Sequence, residues 1–374
     1  MGASREGSGG PGGSEGGRVV VGEGWVGCAE PRVDRLLSGL VAGGQSPGAV
    51  AVLGTLGGSR MVVSAGVVAP ECGDAAPTRH TRYDAASLTK VMVVWPLVGI
   101  ALDAGLLDLD RPVGTYAGEL PQGLPGAAVT VRQILTHTAG LMARTRIDSY
   151  GSSRLPLAEL ICAEPLESVP GTVHRYVDRG FILLGLILPR LLGMPLERLA
   201  QELVWEPAGL TRTTYSPVGR GPDVAPTMGH FPDGPRMWGQ VHDDNAAFLG
   251  GAAGNAGVFT TAADLAAYAV HLLTTHDAPT SWLRRSIQGH VKARPGAARG
   301  LAWLVSDTGV VHHHGFTGTS LFVVPDTGRY LALCTNAIYH GRERRALPGL
   351  RADLIKLIAE QTAPPREAAD ARDV

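Results

Sequence analysis

Ser87-Leu88-Thr89-Lys90 is the segment of this chain whose residue types and spacing are best suited to chemistry. It follows the strand-like Arg82-Tyr83-Asp84 and opens an apolar helical run that reaches Leu102. Residues three apart share a helix face, so the Ser87 hydroxyl and the Lys90 amine can meet. At a helix N-terminus the peptide dipoles also favour negative charge developing on or beside that hydroxyl. The pair predicts a serine nucleophile with an amine at its side. Lysine usage sharpens the reading, because the chain contains only Lys90, Lys292 and Lys356, and of these Lys90 alone has a serine three residues before it. A desolvated amine can release its proton, whereas a guanidinium effectively cannot. Bringing a lysine towards neutrality takes roughly 4 kcal/mol, so the reading requires Lys90 to be buried and predicts that it gives up its proton. A bare Ser-x-x-Lys is common, and a surface lysine near a helix start is the plain alternative.

Two further segments carry groups that would complete such a site. Tyr176-Val177-Asp178 precedes the apolar run Phe181-Ile182-Leu183-Leu184. A phenol at this loop-to-helix corner, beside Lys90, would serve as general base; a core or interface tyrosine is the alternative. His313-His314-Gly315-Phe316-Thr317-Gly318 reads as a strand entering a hairpin. Gly315 lets another group approach the backbone closely, and the Phe316 N–H could pair with that of Ser87 as an oxyanion hole. His312 and His314 face one side of that strand and His313 the other, so a metal pair joined by His242 with Asp243 or Asp244 is a rival reading. No helical His-x-x-x-His pair or acidic ligand set supports it, and neither a metal nor a cofactor is expected. His242-Asp243-Asp244-Asn245 reads first as a capping and turn cluster bracing a cleft, and Arg82 and His137 as structural.

The elements that must position these groups fall into two sets. Pro31 to Val41 has apolar residues at helical spacing, ended by Gly43-Gly44. Ala49–Leu53 and Met61–Ser64 read as a first hairpin; Leu321–Val324 and Tyr330–Cys334, around Pro325-Asp326-Thr327-Gly328, read as a second. Leu350, Leu354, Ile355, Leu357 and Ile358 mark a C-terminal amphipathic helix. Helical patterns dominate between, at 88–102, 131–135, 181–192 and 262–273. The expected fold is α+β: residues 25–86 and 297–374 form a lobe with an antiparallel sheet flanked by helices, residues 87–296 form an inserted, mostly helical lobe, and the site lies in the cleft between them. Residues 1–24, rich in glycine, are expected to be a flexible tail.

Composition narrows the partners. The 374 residues carry a formal net charge of -1 and no block of like charge, which leaves a nucleic acid or an anionic membrane without an electrostatic footprint. The expected partner is a small molecule. Cys28, Cys72, Cys162 and Cys334 have neither metal-ligand nor redox spacing and read as reduced thiols. With no secretion-signal core and no later stretch that reads as a membrane span, the protein is expected in the cytoplasm.

Taken with Leu135-Thr136-His137-Thr138-Ala139-Gly140-Leu141, Val241-His242-Asp243-Asp244-Asn245-Ala246 and Gly254-Asn255-Ala256-Gly257-Val258-Phe259, the three catalytic segments occur in an order that resembles the serine β-lactamase and penicillin-binding-protein superfamily. The likeness is to its class C and esterase-like branch. It implies a class C β-lactamase-like fold in which Ser87 attacks, Lys90 and Tyr176 move the proton, and the amides of Ser87 and Phe316 hold the oxyanion. It leaves open which of Lys90 and Tyr176 is the base. Two departures bear on substrate. His313-His314-Gly315 stands where penicillin-recognising relatives carry Lys-Thr-Gly, and Asp178 stands where asparagine is frequent. Asp178, His313, His314, Gly315 and His242 are the expected substrate-binding residues. The implied activity is acyl transfer from a carboxylic ester or amide through acyl-Ser87 to water, as an esterase or amidase, or to an amine or alcohol, as a transacylase of natural-product biosynthesis. A β-lactamase or D-amino-acid-specific peptidase is the alternative within the family, and a non-catalytic ligand-binding protein of the same fold is the alternative outside enzymes.

Overall fold

The computed structural model of the protein describes residues 24–143, 146–229, 234–276, 281–288 and 291–360. The expected tail, apart from Gly24, lies outside the described residues. The chain begins with α1 (Trp25–Ala42), the hairpin β1 (Gly48–Thr55) and β2 (Arg60–Gly66), and a short β3 (Arg82–Asp84) that delivers it to Ser87. The helices α2 (Trp95–Asp103), α3 (Val131–Leu135), α4 (Leu157–Ala163), α5 (Arg179–Leu192) and α6 (Leu196–Ala200) follow. After β4 (Thr214–Tyr215), α7 (Asp244–Phe248) and β5 (Val258–Thr261) come α8 (Ala262–His276) and α9 (Trp282–Ile287). The last part runs through β6 (Val291–Arg294), β7 (Ala297–Arg299), β8 (Leu304–Ser306), β9 (Val311–His314), β10 (Ser320–Val324), β11 (Arg329–Thr335) and α10 (Leu347–Ala359).

Eight strands make one antiparallel sheet in the order β2-β1-β11-β10-β9-β8-β7-β6. The two halves of the chain meet at β1 and β11, paired from Ala49 with Thr335 to Thr55 with Arg329. Because strand side chains alternate, this sheet has two apolar faces. Phe322, Leu331 and Leu333 pack on one side with Val33 and Leu37 of α1 and Leu350 and Leu354 of α10. Leu321, Val323, Ala332 and Cys334 pack on the other with Leu265, Ala269 and Leu272 of α8. A second small sheet, β3-β5-β4, backs the segment that carries Ser87.

Three boundaries differ from expectation for packing reasons. Helix α1 starts at Trp25 rather than Pro31, since Trp25 is buried and its indole N–H reaches the Leu357 carbonyl at 3.3 Å, tying the helix to α10. The boundary at 297 falls inside a hairpin, because β6 already pairs with β7. Helix α8, expected in the helical lobe, covers the sheet. The apolar run after Ser87 is not one regular helix. A π-turn spans Lys90–Val94, and Pro96 lies in the first turn of α2. Proline has no N–H to give the carbonyl four residues back, and that carbonyl, of Met92, accepts the Trp205 indole at 3.1 Å instead. By length and composition Ala86–Asp103 could cross a membrane, contrary to the expectation that no stretch would; 72% of it is buried inside the protein.

Candidate active site

Ser87 is set by a tight elbow after β3. Asp84, itself buried, accepts the Ala86 N–H on one carboxylate oxygen and the His242 N–H on the other, both at 2.8 Å. Burial pushes this carboxyl up to about 6 against the two amides that favour its charge. Ala86 takes φ +46, a left-handed conformation that a Cβ disfavours by roughly 1–2 kcal/mol and that the Asp84 clamp sustains. The turn between β9 and β10 is stitched to this elbow. Thr317 Oγ1 donates to the Asp84 carbonyl at 2.6 Å and Thr319 Oγ1 to that of Ala85 at 3.0 Å. Gly315 is needed at the crossing, since a Cβ there would lie 2.1 Å from Thr319 Oγ1 and 2.4 Å from the Ala85 oxygen. Ser87 and Phe316 thereby line one cleft, of about 1020 Å³ counting its open mouth. Their amides have no protein acceptor among the described residues.

Lys90 is buried one turn on, with Nζ 3.0 Å from Ser87 Oγ and 3.1 Å from the Asn255 carbonyl oxygen. The expected meeting of hydroxyl and amine is present. The expected loss of the amine's proton is not, because Asp178 Oδ1 forms an ion pair with Nζ at 2.6 Å. Burial pulls the amine down, but the Asp178 carboxylate, followed by Tyr176, more than offsets it, and the net shift is upward. Lys90 is therefore an ammonium at rest. Asp178, expected to bind substrate, does line the cleft, but its principal partner is this lysine.

Tyr176 also lines the cleft, with Lys90 Nζ 5.1 Å from its ring centroid. Its ring is held from behind. His137 stacks on it at 4.3 Å and on Phe181 at 5.2 Å, while His137 Nδ1 accepts the Val177 N–H at 3.2 Å. Burial, and then the nearby Arg299 and Lys90, hold His137 well below the usual histidine range, so it is neutral and buttresses the phenol. Arg299, on β7, lies with its guanidinium carbon 5.7 Å from the same ring.

The other expected substrate residues divide. His242 lines the cleft and stacks on Phe316 at 5.9 Å with 7° between planes. His313 turns towards Tyr176, 6.4 Å between rings, but is buried against Trp303 and does not open on the cleft. His314 is on the wrong face: it pairs with His312 at 2.9 Å and packs on Phe322, across the sheet from the cleft. The same geometry separates the proposed histidine metal pair from His242. Asp243 caps α7 through Ala246 N at 2.8 Å and accepts Asn255 Nδ2 at 3.0 Å, the bracing role expected of it. All four cysteines are free thiols. The contribution of Asn255 to Lys90 is a backbone carbonyl and leaves no signal in residue type. Arg146 and Arg342, which line the cleft, were likewise not evident, being two among many arginines.

A buried lysine on a serine hydroxyl, a tyrosine beside both and two unengaged amides, set between an antiparallel sheet and a helical insertion, define the serine β-lactamase-like class of fold. Comparison with known proteins agrees. The model of the Beta-lactamase family matches residues 33–356, and the chain belongs to that family, whose members are serine hydrolases. A putative D-alanyl-D-alanine carboxypeptidase of Salmonella agona (strain SL483) is 30% identical over 217 residues, covering 50% of each protein. The chain thus spans about half the length of the curated relatives it matches. Among solved structures, EstCE1, described as a hydrolase with promiscuous acyltransferase activity, superposes with a TM-score of 0.69 at 21% identity, covering 87% of this chain and 98% of that one. A class C β-lactamase gives 0.70 at 19% identity over 88% and 96%.

Proposed function

We propose that this chain catalyses acyl transfer from a small carboxylic ester or amide through an ester on Ser87. The observation that carries the reading is the contact between Ser87 Oγ and Lys90 Nζ at 3.0 Å, with that ammonium already neutralised by Asp178. An ammonium cannot accept the serine proton, so Tyr176 is the base. With Tyr176 reacting as the phenolate, Ser87 Oγ bonds to the acyl carbon as its proton passes to the phenolate oxygen, and the phenol so formed gives that proton to the leaving group. The Ser87 and Phe316 amides receive the oxyanion. Water, or an amine or alcohol, then takes the acyl group by the reverse sequence. Arg342 on the cleft wall favours a second reading, hydrolysis of a peptide ending in a D-amino acid, the activity named for the Salmonella relative. Against it, His313 is buried and held neutral where a cation for a carboxylate would be wanted.

Incubation with p-nitrophenyl esters and with a fluorophosphonate, followed by intact-mass and peptide analysis, tests the proposal. Wild type should gain one acyl or phosphonyl group on Ser87, and Ser87→Ala should lose about 10³-fold or more in turnover. Label elsewhere, or full turnover in Ser87→Ala, would reject it. Adding amines during turnover separates transfer from hydrolysis, and a D-Ala-D-Ala peptide as competitor tests the second reading.

A further inference from the structure

Arg299 is a buried guanidinium with no carboxylate partner among the described residues. It is 4% exposed, and its hydrogen bonds go to the Ala302 carbonyl at 2.8 Å and to His174 Nε2 at 3.4 Å. A charge taken out of water is costly unless an opposite charge meets it. The titratable groups facing Arg299 are His137 and His174 from the helical side, Arg294 on β6, His312 and His313 on β9, and Tyr176. Of these, Tyr176 is the one that can become negative, and it is the one whose ring the guanidinium approaches, at 5.7 Å. Burial lowers Arg299 to about 10, which still leaves it a cation at neutral pH.

The cation next to Tyr176 on the cleft side does not do the same work. Lys90 carries its own counter-ion, Asp178 at 2.6 Å, so the pair presents little net charge to the phenol. Arg299 supplies the positive charge that remains uncancelled. A cation over an aromatic face is attracted to it, and more strongly when the ring bears negative charge.

Resting on the acyl-transfer reading above, we propose that Arg299 is a positioning residue of that site, which acts through Tyr176 by holding its ring and stabilising negative charge on the oxygen that receives the Ser87 proton. Arg299→Met fills the same space without a buried polar group, Arg299→Gln keeps polarity without charge, and Arg299→Lys keeps charge. Burst kinetics with p-nitrophenyl acetate from pH 5 to 10, with thermal melts of each variant, decide the matter. Met and Gln should slow acylation about 10- to 100-fold with KM changed less than about threefold, and move the acidic limb of kcat/KM upward in pH. Lys should restore most of the rate and the wild-type limb. An unmoved limb in Met and Gln, or a Lys variant as slow as both with losses that follow melting temperature, would overturn the role of Arg299. Wild type that forms no Ser87 adduct would instead overturn the acyl-transfer reading.

Discussion

Asp178 decides the protonation of Lys90. Lys90 has an upward shift, so its ammonium persists through neutral pH, and the stability it contributes is present below the ordinary lysine range and lost only above it. In Asp178→Asn the Coulombic attraction is gone and burial dominates, so the amine should lose its proton at lower pH. Measured from pH 6 to 10.5, wild-type kcat/KM should show no lysine limb below about pH 10, the ordinary lysine range. The asparagine variant should gain one, with its optimum rate within about tenfold of wild type, a shift of roughly 1.4 kcal/mol or less. Superimposable profiles would show that the ion pair does not govern Lys90.

Strand β9 is the element on which the site is most exacting. Its end meets the nucleophile elbow backbone to backbone at Gly315, with Thr317 and Thr319 donating to Asp84 and Ala85. Gly315→Ala places a methyl against the Ala85 carbonyl and must push the Phe316 amide away from Ser87. A cost of about 1–3 kcal/mol in folding is expected, with acylation falling by at least tenfold because an oxyanion donor moves. Denaturant titration and burst kinetics would measure both, and wild-type acylation in this variant would mean that β9 does not supply the hole. The neighbouring faces of the strand have different duties: His313 backs Tyr176, while His312 and His314 pack on Phe322 on the other side.

Across the whole molecule, histidines buried as neutral rings make the fold acid-sensitive. Burial is the main cause that holds His137 and His313 well below the usual range and His312 at about 3. In the unfolded chain each protonates near 6.5, so their stabilisation is present above that pH and is lost as pH falls. Each costs up to about 1.4 kcal/mol per pH unit below 6.5. Asp84 acts oppositely: its raised carboxyl favours the fold at low pH and that contribution is lost as pH climbs from about 4 to about 6, but one carboxyl opposes three imidazoles. Melting temperature should therefore drop between pH 6.5 and 4.5, and replacing His312 with Gln should shallow that slope. A flat profile would contradict the buried, neutral histidines.

The sequence by itself determined what depends on near neighbours along the chain. One helical turn brings Ser87 to Lys90, strand alternation sends His313 and His314 to opposite sides, and turn residues mark both hairpins. The ordered motifs pointed to the family. Tertiary structure alone decided which side of β9 faces the site, that Asp178 and the Asn255 carbonyl close on Lys90, and that Arg299 arrives behind Tyr176. The physical reason is that a buried group's charge state is set by whichever partners the fold brings within a few ångströms of it, and those partners come from distant segments whose residue types announce nothing about their approach.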